Sequence, residues 1–361
     1  MSDAVTLTVN GQNFTGWKSV RIEAGLERMA RSFELSVTHQ WPGSNMPKIK
    51  PGDLCEVRIG ADLVCTGYVD ATPIDYDASG ISIIIRGRSK TADLVDSAAD
   101  NSTGQFKGLA AEAIAQKLAG QYGLTVVNQT ATGSAITDFQ IQQGETVFES
   151  LDRLSKQRQI LFTDDANGNV VIASPGSGGI AASGLELGFN ILSGSAGFDF
   201  TEVYSNYTVK GQKSGTDDSF GAQTAQSVGT ALDTNIKRRR VIVIRQSGQA
   251  DFDTCQKRAA YEQQVRAAKA GEIRYRVVGW RQSNGALWQP NLSVHITDVI
   301  MSINKSLIIS ECTWTLDDSG MITELVVIPA AAFITEPEAQ KKAAKRKKSK
   351  AGVDSSWADL L

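Results

Sequence analysis

The sequence predicts a mainly β protein with α+β inserts, in which two similar antiparallel β-barrel domains flank a smaller α+β module. The first observation behind this is a succession of steps that occurs twice. Pro51-Gly52 leads into the alternating run Leu54-Cys55-Glu56-Val57-Arg58-Ile59, a strand near residues 63–71, the turn Asp77-Ala78-Ser79-Gly80 and the run Ile81-Ser82-Ile83-Ile84-Ile85-Arg86. Pro290-Asn291 leads into Leu292-Ser293-Val294-His295-Ile296, a strand near residues 306–315, the turn Asp317-Asp318-Ser319-Gly320 and the run Met321-Ile322-Thr323-Glu324-Leu325-Val326-Val327-Ile328. Proline to turn is 26 residues in the first copy and 27 in the second. Asp and Ser bond back onto local backbone in such turns, and glycine supplies φ > 0. Upstream, Ser32-Phe33-Glu34-Leu35-Ser36-Val37 pairs off with Ser205-Asn206-Tyr207-Thr208-Val209, so one β unit is expected to be used twice. The second observation is about six strand-like runs in the first 90 residues. One flat sheet of that size leaves exposed edges, and a small closed barrel removes them. The third is a block of helical periodicity between the copies.

In chain order, Val5-Thr6-Leu7-Thr8-Val9 alternates and Asn10-Gly11 signals a two-residue hairpin turn. Residues 90–99 read as a short helix. Residues 109–122 place Ala110, Ile114 and Leu118 on one face, with Gly123 where a C-terminal cap belongs. Thr146 and Glu149 form a capping-box pattern for a helix whose Val147, Leu151 and Leu154 line one face. Ile160-Leu161-Phe162-Thr163 and Val170-Val171-Ile172 flank an Asn167-Gly168 turn. Helix plus hairpin makes a compact α+β piece. Residues 211–234 are polar and glycine-rich and read as a mobile loop, Val241-Ile242-Val243-Ile244 as a buried strand, and residues 251–270 as a helix. The expected domains are therefore residues 1–96, a first barrel; 97–190, an inserted α+β module; 191–212 with 272–333, a second barrel; 213–271, a loop plus helix insertion; and 334–361, a basic flexible tail.

Composition narrows the function. The 361 residues carry a formal net charge of −2, and 41% are hydrophobic, ordinary values for a globular protein with several cores. No apolar run approaches the ~18 residues that cross a bilayer, and no basic-then-apolar leader opens the sequence, which points to a cytoplasmic origin. The segment from Glu336 onward holds seven Lys/Arg against four acids, which leaves −5 on the body. A mildly acidic body does not fit a dedicated nucleic-acid binder. Cys55, Cys65, Cys255 and Cys312 lack CxxC spacing and read as buried thiols, with no metal or cofactor site expected.

Nothing in the sequence reads as a catalytic motif: GxSxG, HExxH, Walker and strand–helix GxGxxG patterns are all missing. His295 alternates with Val294 and Ile296 and is expected to face away from the core, and His39 to follow a strand end in a loop. Asp164/Asp165, Asp217/Asp218 and Asp317/Asp318 resemble glycosidase dyads in composition only, because all three fall in predicted turns. No enzyme is expected. The candidate binding residues are Lys341, Lys342, Lys345, Arg346, Lys347, Lys348 and Lys350, followed by the apolar tip Trp357, Leu360 and Leu361. Such a cluster suits phosphates or an acidic protein surface, and the tip favours docking on a partner protein.

Several strings together carry a family resemblance: residues 5–17, Cys65-Thr66-Gly67-Tyr68-Val69-Asp70, Gly87-Arg88-Ser89-Lys90-Thr91-Ala92-Asp93-Leu94-Val95-Asp96, Tyr207-Thr208-Val209-Lys210-Gly211, and Gly279-Trp280 through Leu287-Trp288-Gln289-Pro290-Asn291-Leu292. The chain resembles the baseplate hub proteins of Mu-like and related contractile-tailed phages, over nearly the whole body to about Phe333. The resemblance implies a structural virion protein of the tail baseplate, assembled in the host cytoplasm. It implies a homotrimer whose two barrels per chain form a pseudo-sixfold ring between a hexameric tail tube, or distal tail protein, and a trimeric spike. Other baseplate proteins would be partners, and DNA would pass only in transit through the channel, with no membrane insertion. A tail-borne wall-degrading enzyme, or a wall-binding module in residues 97–174, is the alternative.

Overall fold

The computed structural model describes residues 3–39, 49–78, 80–100, 104–158, 160–212, 227–249 and 251–334. β1 (Val5–Val9) and β2 (Gln12–Phe14) meet through Asn10 and Gly11 at φ 51° and 76°, the two-residue turn the Asn-Gly pair predicts. Next come β3 (Ser19–Gly25), β4 (Ser32–His39), β5 (Leu54–Ile59), β6 (Asp62–Ala71), β7 (Ile74–Tyr76) and β8 (Ile81–Ser89). Period-two burial holds along them: Val5, Leu7 and Val9 point into the core opposite Ile59, Val57 and Cys55. Gly67 is obligatory where β6 meets β8, because a Cβ there would lie 1.8 Å from the Arg88 carbonyl oxygen. His39 is the last residue of β4 rather than a loop residue, paired with Ile81.

The central module contains α1 (Ala92–Asp96), β9 (Gln105–Phe106), α2 (Ala111–Ala119), β10 (Val126–Asn128), β11 (Phe139–Gln140), α3 (Val147–Arg158), β12 (Leu161–Asp164) and β13 (Val170–Ala173). A 3-10 turn, Gly120–Tyr122, continues α2, and Gly123 ends it in the left-handed region, at φ 70°. The capping box at α3 forms in both directions: the Glu149 N–H donates to Thr146 Oγ1 at 3.1 Å, and the Thr146 N–H donates to the Glu149 carboxylate at 2.7 Å. Thr146→Ala is expected to cost about 1 kcal/mol, read as a lower denaturation midpoint. β10 adds in parallel to β13, outside the expected hairpin, giving the order β10-β13-β12. Ile114, Leu118, Leu151, Leu154, Phe162 and Ile172 close the core beneath it.

The remaining elements are β14 (Leu185–Glu186), β15 (Ile191–Ala196), β16 (Asn206–Gln212), β17 (Ser227–Leu232), β18 (Val241–Gln249), α4 (Phe252–Lys269), β19 (Ile273–Val278), β20 (Ser293–Asp298), β21 (Ile303–Asp317) and β22 (Gly320–Ile328). Asp251 caps α4 by accepting from the Thr254 N–H at 2.9 Å. β17, β16 and β18 form their own sheet under α4, and Gly229 lets the helix sit directly on it, since a Cβ would lie 2.2 Å from Cys255 backbone.

Two readings of this region change. Part of the expected loop is strand β17, while residues 213–226 lie outside the described residues. The strand expected to be buried, β18, is an edge strand whose Val241 and Val243 are exposed, because they align with Asn206 and Thr208 on the face opposite the one α4 covers through Val209 and Ile244.

The repeated unit is present and its strand order is the same twice. The first runs β3-β4-β8-β6-β5-β1 and the second β15-β19-β22-β21-β20-β14. Adding 240 to a residue number in β4, β7 or β8 gives its counterpart: Phe33 and Gly87 pair as Ile273 and Val327 do, and Ile74 and Ile83 pair as Trp314 and Thr323 do. The one-residue difference in spacing has a local cause. Two residues, Gly60 and Ala61, turn β5 into β6, and a bulge adds one more beside Val57; residues 299–302 turn β20 into β21. The counterpart of β4 is β19, not β16. Residues 206–212, expected in the second barrel, alternate like a barrel strand but pair in the other sheet. The outermost strands also differ: β1 pairs β5 antiparallel, whereas β14 pairs β20 in parallel.

Neither unit is closed by a ladder among the described residues. Both belong to one 14-stranded sheet, because the free side of β3 is occupied by β21. The edge that a closed barrel would have used joins the two units instead.

Candidate functional site

The functional geometry lies at strand edges. Inside the chain, residues 311–316 of β21 pair antiparallel with residues 25–20 of β3. Trp314 sits directly opposite Ile22, at 1% and 0% exposure, flanked by buried Cys312, Ala24 and Val20. On the other face, Arg28 lies 2.6 Å from Glu23 and 3.5 Å from Glu311, and Arg21 lies 2.5 Å from Glu23. Burial pushes the Glu23 carboxyl up, but the Arg21 hydrogen bond and the two guanidinium charges outweigh it and hold it below its ordinary value.

The same two edges recur unpaired. β7 is the counterpart of residues 314–316, and among the described residues no strand lies on its outer side. β15 is the counterpart of β3: Ala196 pairs Ile273 as Ile22 pairs Phe33, and its outer side also carries no strand among the described residues. Ile74 and Tyr76 are 52% and 81% exposed, and Leu192, Phe198 and Phe200 on or beside β15 are about half exposed. An exposed apolar edge is a pairing surface. Alternation did not identify β7, because Ile74-Asp75-Tyr76 is a three-residue run between Pro73 and the turn at residues 77–80. Its equivalence to Trp314 is the signal that finds it.

A buried ion pair locks the central module to the first β unit. The Arg31 side chain donates to Asp164 Oδ1 at 3.1 Å and to the Val64 carbonyl at 3.1 Å. Asp164 Oδ2 also accepts from the Arg31 N–H at 2.9 Å and from Ser89 Oγ at 2.6 Å. Burial pushes the Asp164 carboxyl up, and Arg31 and Ser89 oppose this only in part. Asp164, expected in a turn, is the last residue of β12. Its neighbour Asp165 occupies the turn, accepting from the N–H groups of Asn167 and Asn169, each at 2.9 Å.

The other sequence candidates separate clearly. His295 is exposed, with Nε2 3.0 Å from Asn304 Oδ1 and Nδ1 3.5 Å from Ser306 Oγ, as the alternation predicts. Asp317 accepts from the Ser319 N–H at 2.7 Å, a turn role. Asp217 and Asp218 lie outside the described residues, as does Ser79 of the first-copy turn. So do all the candidate binding residues, Lys341, Lys342, Lys345, Arg346, Lys347, Lys348, Lys350, Trp357, Leu360 and Leu361. The four cysteines are free and buried; burial raises the Cys55 thiol to about 12 and those of Cys65 and Cys312 well above the ordinary value. Glu202, Arg266, Glu262 and Arg258 form a chain of ion pairs at 2.6–2.7 Å along α4, their charges spent on one another. No group of three metal-ligating side chains occurs among the described residues.

A duplicated β unit with two open, apolar edges defines a protein whose surfaces are built for assembly, and comparison with known proteins agrees. Residues 4–89 match the family described as Mu phage baseplate assembly protein GpP-like, N-terminal; residues 91–174 match baseplate hub protein gp44-like, second domain; residues 252–336 match Mu phage baseplate assembly protein GpP, fourth domain. The chain is 35% identical to baseplate hub protein gp44 of Escherichia phage Mu, over 98% of its own length and 95% of that protein. The 43 kDa tail protein of prophage MuSo2 from Shewanella oneidensis has a similar structure, at TM-score 0.84 and 32% identity, covering 92% of this chain and 99% of that one. A tail protein from Neisseria meningitidis MC58 shares the fold at TM-score 0.77 and 21% identity, covering 93% and 100%. The chain belongs to the Mu-type baseplate hub family. It is a structural part of a Mu-like phage tail, located in the virion baseplate.

Proposed function

We propose that this hub is a homotrimer whose two β units per chain form a ring of six similar units, joining a hexameric tail tube above to a trimeric spike below. The observation that carries this is the strand order repeated as β3-β4-β8-β6-β5-β1 and β15-β19-β22-β21-β20-β14. Two equivalent units in one polypeptide let threefold association present sixfold geometry. The ring encloses an axial channel through which DNA leaves, and the acidic body suits a wall that releases phosphates. Assembly takes place in the host cytoplasm. The segment with Lys341, Lys345 and Arg346, ending in Trp357, Leu360 and Leu361, docks on a neighbouring baseplate protein. Light scattering of the purified full chain tests the ring: three times 38.7 kDa is expected, and a monomer mass at every concentration overturns it.

A further inference from the structure

We propose that the ring is held by a strand ladder in which residues 71–76 of one copy pair antiparallel with residues 199–194 of a second copy. This rests on the trimer reading and gives it a register. Within the chain, Thr315 pairs Arg21, Trp314 pairs Ile22 and Leu316 pairs Val20. The counterparts of Trp314, Thr315 and Leu316 are Ile74, Asp75 and Tyr76, from their matched positions against β22 and β8. The counterparts of Val20, Arg21 and Ile22 are Gly194, Ser195 and Ala196, from their matched positions against β4 and β19. Between copies the register is therefore Ile74 with Ala196, Asp75 with Ser195, and Tyr76 with Gly194. Continued by two residues, it sets Thr72 against Phe198.

Backbone and side chains both fit this partner. The Pro73 carbonyl accepts from the Ile84 N–H at 3.0 Å, so that residue's polar groups, including the donor it lacks, point toward β8. Thr72, Ile74 and Tyr76 then direct their N–H and C=O groups to the open side. The exposed Ile74, Tyr76 and Phe198 fall on the face where the internal ladder buries Trp314 and Ala24 and half-buries Leu316. β15 carries no charge along its six residues, and β7 carries only Asp75, so the usual protection of free edges is missing. Each copy offers one edge of each kind. Such a head-to-tail contact continues until the ring closes.

The test is a disulfide across the ladder in the full chain, Asp75→Cys with Ser195→Cys. The two positions are exposed, and the four native thiols are buried. Asp75 faces Ser195 as a pair that exchanges no hydrogen bonds, which brings the Cα atoms to about 4.5 Å, inside disulfide range. Mild oxidation is expected to give reducible, covalently linked chains up to the trimer. Asp75→Cys with Ala196→Cys, one residue out of register, is expected to give none. Ile74→Lys is expected to weaken association roughly 30-fold or more while circular dichroism stays unchanged. A trimer mass without the bond, or equal linkage in the shifted pair, overturns the ladder and leaves the ring standing. A monomer mass overturns both.

Discussion

Trp314→Ala is expected to cost about 3–5 kcal/mol of folding free energy, the range for truncating a fully buried large aromatic. The indole lies in the ladder joining the two β units, opposite Ile22, and is 1% exposed. Its N–H has no hydrogen-bond partner among the described residues, so Trp314→Phe forfeits volume alone and is expected to lose less than half as much. The counterpart Ile74 supplies the control. Because it is exposed in the isolated chain, Ile74→Ala should shift stability by no more than ~0.5 kcal/mol while weakening self-association. Chemical denaturation of the three variants below the association range separates these effects. Equal midpoints for Trp314→Ala and Ile74→Ala would mean that the units do not share a core.

Arg31→Met should be comparably damaging, for an electrostatic reason. The substitution keeps most of the aliphatic stem and leaves Asp164 buried without its guanidinium, a loss of about 3–5 kcal/mol for one partner of a buried pair. The expected consequence is loosening of the central module from the first β unit, detectable as faster proteolysis between residues 89 and 111. The pH dependence has a definite sign. Burial already holds the Asp164 carboxyl above its ordinary value, and removing Arg31 leaves that burial less opposed. A carboxyl raised in the folded state contributes stability on the acid side that is lost as pH rises through its folded value. The deficit of the variant should therefore grow as pH rises through that raised value and shrink toward the acid side. A pH-independent deficit would assign the loss to packing instead.

Much of the local structure was legible in the residues. Asn10-Gly11, the Thr146/Glu149 box, the Gly123 cap and the Asp251 helix start each depend on groups a few positions apart, and each forms as its sequence requires. The family resemblance was readable in specific strings as well. The strand equivalence was only half legible. Turn and spacing identified β5, β6 and β8 with β20, β21 and β22, but alternation could not tell β16 from β19 as the counterpart of β4. Both runs alternate, and only their pairing with β18 and β22, strands 35 or more residues further along the chain, distinguishes them. Asp164 failed for a related reason. An acid next to the turn Asp165-Ala166-Asn167-Gly168 is ordinary, and its partner Arg31 lies 133 residues away.

The sequence by itself determined that one β unit is used twice, that an α+β piece lies between the copies, and which turns and caps begin and end the elements. Those features follow from short-range torsional preference and from periodicity, which a linear string carries. The tertiary structure alone decided that among the described residues neither unit closes on itself, that β21 takes the free side of β3, and that β7 and β15 are left there as the matching open edges. Strand edges are satisfied by whatever backbone reaches them in space, and no local pattern records which backbone that will be.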